Sequence, residues 1–98
     1  MTLRPEQIAV RDACHAAYAA DDAYEKALKA AGYKSRWDWS APFAVRDLAL
    51  SDNDATGLTP LQAAYVAKVR ADRASHRAWE RLRERPENNR IEHLNNRG

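Results

Sequence analysis

The residues that could bind a soft metal or act as nucleophile or base near neutral pH are few: Cys14, His15, His76 and His93. Structural zinc needs four ligands and catalytic zinc at least three. With two long helices antiparallel, Cys14 comes level with His76, but His15 points away from the shared face. Two ligands are too few, so no metal is expected. His76 reads as a partly buried residue near Asp72, one turn earlier, and Cys14 as a small core hydrophobe. The run Asp52-Asn53-Asp54-Ala55-Thr56-Gly57 has the oxygens and glycine of the first half of a calcium loop. The pattern then breaks, because Ala63 stands where the bidentate glutamate belongs and Pro60 starts a helix too early. It reads as a capped turn. Asp21 and Asp22 fall on the solvent side of a helix, and three glycines supply no phosphate-cradling loop. Neither catalysis nor a cofactor is expected.

The remaining chemistry lies in arginines. Arg70, Arg73, Arg77 and Arg81 repeat at spacings of three and four, which lines them along one helix face. Arg83 and Arg85 extend the row. Guanidinium groups meet carboxylate or phosphate in a planar, bidentate way, and like charges one turn apart repel modestly. A row with no lysine among its four members therefore suits an acidic protein surface first and a nucleic-acid backbone second. The bland alternative is a solvated face, trimmed by Glu80 and Glu84.

Composition limits the scale of that binding. Net charge is only +2 over 98 residues, so the chain as a whole is a weak attractor of polyanions. The charge is uneven: residues 1–57 hold seven Lys/Arg and nine Asp/Glu, and residues 58–98 hold nine and five. One cysteine rules out an internal disulfide. No apolar run approaches the length of a membrane span, and the first dozen residues lack a signal-peptide core, so a cytoplasmic protein with no membrane partner is expected. Twenty residues are alanine, which leaves three Trp, four Tyr and one Phe to supply the bulk of any core.

The elements that position these residues are helices. Pro5 to Ala31 is a helical run, with Thr2 or Arg4 near its start and Gly32 as C-cap. Thr59 to Arg85 is a second: Thr59 caps it, Pro60 takes the first helical position, Gln62 can reach back to Thr59, and Pro86 stops it. Each carries a seam made mostly of alanine, Ala13, Ala17, Ala20, Tyr24, Ala27 and Ala31 on the first, and Pro60, Ala64, Ala67, Ala71, Ala74 and Ala78 on the second. Read antiparallel, the seams match with paired numbers adding to 91, which predicts a close helix pair. Between them Trp37 and Trp39 alternate in an extended segment, and Ala41 to Leu50 forms a short helix bearing Phe43, Val45 and Leu48. The tryptophans and Phe43 are expected to cover the bulky flank of Tyr65, Val69 and Trp79.

The fold expected is therefore all-α, a small helical bundle in one domain. It has two long antiparallel alanine-seamed helices (about 5–31 and 60–85) and a short helix (about 41–50) packed across them. Residues 86–98 form a polar tail. The expected function is a non-enzymatic protein-protein interaction module that occupies a partner's surface. In size and lack of an active site it matches the style of small phage or mobile-element inhibitors, anti-CRISPR and other anti-defence proteins included. Arg70, Arg73, Arg77 and Arg81, with the edge around Trp37 and Trp39, are the expected partner-binding residues. Nucleic-acid binding through the arginine row and a structural homodimer are the alternatives.

Overall fold

The computed structural model describes residues 3–83. It is all-α: two long helices, α1 (Pro5–Ala30) and α3 (Pro60–Arg83), pack against each other, and a short helix, α2 (Phe43–Ala49), packs on α3. The expected continuation of α3 to Arg85 and the tail 86–98 lie outside the described residues.

Local chemistry explains the ends. At the start of α1 the Arg4 backbone N–H donates to the Gln7 side chain at 2.9 Å, and at its end Gly32 takes φ +95° to turn the chain. The predicted capping box of α3 forms in both directions: Gln62 N–H donates to Thr59 Oγ1, and Thr59 N–H donates to Gln62 Oε1, each at 3.1 Å. Gly57, at φ +70°, makes the entry turn.

The helix pair is antiparallel, but its register and rotation differ from the alanine-seam expectation. Asp21 approaches Lys68, Tyr24 packs edge-on against Tyr65, Leu28 clusters with Leu61, and Cys14 Sγ lies 3.5 Å from Ser75 Oγ. Paired numbers add to 89, a slip of two residues, so Cys14 meets Ser75 and His76 turns outward to Glu80 instead of lying near Asp72. Ala64, Ala71 and Ala78 only border the seam, and Ala67 and Ala74 are exposed. The reason is energetic. Burying a leucine or tyrosine side chain returns roughly 1.5–3 kcal/mol, several times a methyl group, so α3 rotates to bring Leu61 and Tyr65 onto α1.

The core occupies the loop end of the hairpin. One cluster joins Tyr24, Leu28 and Leu61; the other joins Ala41, Val45, Ala49 and Val66, and Trp39 and Tyr65 pack against both. Tyr24, Trp39 and Tyr65 form a ring triad with centroids 5.8–6.1 Å apart, within the range of favourable edge and tilted packing. Trp39 thus does the covering work foreseen for it. Trp37 and Phe43 do not, and Trp79 stays 48% exposed.

Burial pushes the Tyr24 phenol above its ordinary value of about 10, with the Lys68 charge opposing. Its folded pKa exceeds its unfolded one, so its contribution to stability is complete below about pH 10 and is lost as pH rises through the folded pKa. Tyr24→Phe is expected to lessen the drop in urea midpoint between about pH 8 and about pH 11; an unchanged drop would mean that Tyr24 has no part in it.

Candidate protein-interaction surface

The segment between α1 and α2 is a short 3₁₀ turn, Arg36–Asp38, instead of the extended run the alternation suggested. Ser35 builds it: Trp37 N–H donates to Ser35 Oγ at 3.3 Å, and Ser35 N–H donates to the Asp38 carboxylate at 3.1 Å. Arg36 then fastens the turn to α1 through Glu25 and Asp21. Trp39, past the turn, returns to extended backbone and points into the ring triad. Trp37, two residues earlier, faces out and is 87% exposed.

A second exposed ring is linked to this one through Arg46, which lines a hollow with Trp37 and lies over Phe43. Phe43 opens α2 and is 81% exposed, with the Arg46 guanidinium 5.7 Å from its centroid, a cation–π distance. Trp37, Arg36, Arg46 and Ser40 line a hollow of about 240 Å³ together with Trp39 and Tyr65. On its other side Trp37 shares a hollow of about 280 Å³ with Lys29, Lys34 and Arg36. The surface is therefore two exposed rings flanked by Lys29, Lys34, Arg36 and Arg46, with Glu25 among them, and the turn that carries Trp37 is pinned through Ser35, Asp38 and Arg36.

The arginine row divides. Arg70 donates to the carbonyls of Leu48 at 2.9 Å and Asn53 at 2.6 Å, and Arg73 donates to the Leu50 carbonyl at 2.8 Å. These two guanidiniums cap the C-terminal end of α2. Arg77 and Arg81 lie beyond α2 and are exposed. Arg81 is sixteen residues from Tyr65, about 24 Å along α3, so the structure does not bring the free arginines together with the tryptophans. Trp39 is half-buried in the core.

Phe43 and Arg46 were missed by the reading of the sequence, although a signal existed. In α2 the inward positions are Val45 and Ala49, and Phe43 lies about 200° round the helix from Val45. Among the described residues, no three Cys, His, Asp or Glu side chains gather as a metal set, and no helix is long and apolar enough to cross a membrane.

No protein family, curated protein or solved structure matches the chain.

Proposed function

We propose that this protein is a non-enzymatic protein-binding module whose anchor is Trp37, supported by Phe43 and Arg46. One observation carries the reading: the largest side chain type in the chain is almost wholly exposed on a turn held by Ser35, Asp38, Asp21 and Glu25. Exposing an indole leaves its burial energy unused by the fold, and fixing its backbone beforehand lowers the ordering cost of binding. Trp and Arg dominate the energetics of protein interfaces. Lys29, Lys34 and Arg46 around the ring suit a partner with acidic side chains. Phosphate binding has weaker support, since two of the four arginines in the row are occupied at α2 and two exposed ones make a short track.

The test is affinity capture from the cells that express the protein, followed by titration of the recovered partner. Trp37→Ala is expected to weaken binding by about thirtyfold or more, as for a hot-spot residue, with thermal unfolding unchanged. Arg46→Glu should weaken it further, whereas joint replacement of Arg77 and Arg81 by Glu should leave it near the native value. Full binding by Trp37→Ala would overturn the assignment.

A further inference from the structure

The hollow between Trp37 and Arg46 says more about what a partner must bring. Tyr24, Trp37, Trp39 and Tyr65 line it with four aromatic rings. Its inner end is closed, since Tyr24 and Ala41 are 6% and 7% exposed, and its outer wall is the exposed Trp37. At about 240 Å³ it falls below the usual size of a small-molecule pocket, about 300–1,000 Å³, and suits a single side chain. Ring walls favour a ring as the guest, because edge-to-face and offset contacts add to plain burial.

The charges narrow the guest further. Two guanidiniums line the hollow and no carboxylate does. Arg36 is engaged, donating to Glu25 at 2.5 Å and to Asp21 at 3.3 Å. Arg46 lies over the Phe43 ring and has no acidic partner among the described residues. Four rings alone would also suit a cation, but a cation here meets one unpaired like charge and no counter-charge. One unpaired guanidinium matches one negative charge. A carboxylate supplies it and is held by the planar fork in two hydrogen bonds, whereas a phosphate group, with about −1.5 to −2 charges, is only partly matched. A second copy of this chain is a poor guest. Its own Trp37 arrives flanked by Lys29, Lys34 and Arg46, and like charges brought together across an interface oppose association.

We infer that this hollow receives an aromatic side chain of the protein partner, with a carboxylate of the partner beside it on Arg46. The inference rests on the reading of Trp37 as a protein-binding anchor and names what the partner presents there. Phenylacetate, which joins one ring to one carboxylate, is the probe, with benzylamine and phenyl phosphate as its cationic and more highly charged anionic counterparts. In the isotope-labelled full chain, phenylacetate is expected to shift the indole N–H signals of Trp37 and Trp39 with a dissociation constant in the millimolar range. The signal of Trp79, fourteen residues beyond Tyr65 on α3, should stay in place. Arg46→Gln should weaken phenylacetate binding about threefold or more with thermal unfolding unchanged. Benzylamine should cause no shift, and phenyl phosphate should bind no tighter than phenylacetate. The inference is overturned by an absence of shifts at Trp37 and Trp39, by equal binding of benzylamine, by tighter binding of phenyl phosphate, or by binding indifferent to Arg46→Gln. The anchor is judged apart from this, on the recovered partner. If Trp37→Ala loses the partner while phenylacetate fails to bind, the inference alone falls; if Trp37→Ala keeps the partner, the anchor falls and the inference with it.

Discussion

Trp39→Ala is expected to lower the stability of this protein by about 3 kcal/mol, whereas Trp37→Ala, two residues away, is expected to change it by less than about 0.5 kcal/mol. The first figure is the lower end of the usual cost of deleting a buried tryptophan, because Trp39 is half-buried. Its indole is nevertheless packed against both core clusters and meets Tyr24 and Tyr65 at 6.1 and 5.8 Å. Removing it leaves Tyr24–Tyr65 as the one remaining ring pair of the triad and opens the junction of the three helices. A domain of this length holds only about 5–15 kcal/mol in total, so the loss is a large share. At a slope of about 1–2 kcal/mol per molar, the urea midpoint should fall by about 1.5–3 M for Trp39→Ala. For Trp37→Ala it should hardly move. Equal midpoints for the two variants would show that the indole at position 39 is not a core residue.

The contrast between those tryptophans also marks how far the sequence could be read. Caps were legible, because Thr59, Pro60 and Gln62 act on their own neighbours, and Gly32 and Gly57 turn the chain where they stand. The all-α class and the antiparallel pair followed from helical periodicity. What periodicity cannot do is choose among the sides of a helix that has several candidates for burial. In α3 the alanine line and the Leu61/Tyr65 line are neighbours, and the larger side chains take the interface, which moved the register by two residues. Likewise, spacing puts Trp37 and Trp39 on different sides without saying which faces in. That choice is made by Arg36, which ties the turn to Asp21 and Glu25 fifteen and eleven residues away. The arginine row was legible only in part: its alignment on one face was readable, but the loop carbonyls that lie over half of it were not.

Those carbonyls give the other large expected effect. Arg70→Ala should cost about 2 kcal/mol, and Arg77→Ala, two turns further along the same face of α3, close to nothing. α2 has seven residues, too few to hold as a helix without tertiary support, and its last carbonyls have no partner within the helix. The Leu48 carbonyl accepts from the Ser51 N–H at 3.1 Å, from the Ser51 hydroxyl at 2.8 Å and from Arg70 at 2.9 Å, while Arg70 also reaches Asn53 at 2.6 Å. A guanidinium at a helix C-terminus is favoured by the helix dipole as well as by its hydrogen bonds. Against this, the Arg70 Nε is buried with no partner, and that desolvation keeps the expected cost nearer 2 than 3 kcal/mol. Arg70→Lys should recover only part of the loss, because one ammonium replaces a planar fork that reaches two carbonyls. The damage should be local first: amide hydrogen exchange in residues 45–51 should quicken in Arg70→Ala while α1 keeps its native protection. Equal costs for Arg70→Ala and Arg77→Ala would mean that the guanidinium–carbonyl contacts add nothing. The whole row would then have to be treated as one solvent-facing stripe, available to a partner along its full length.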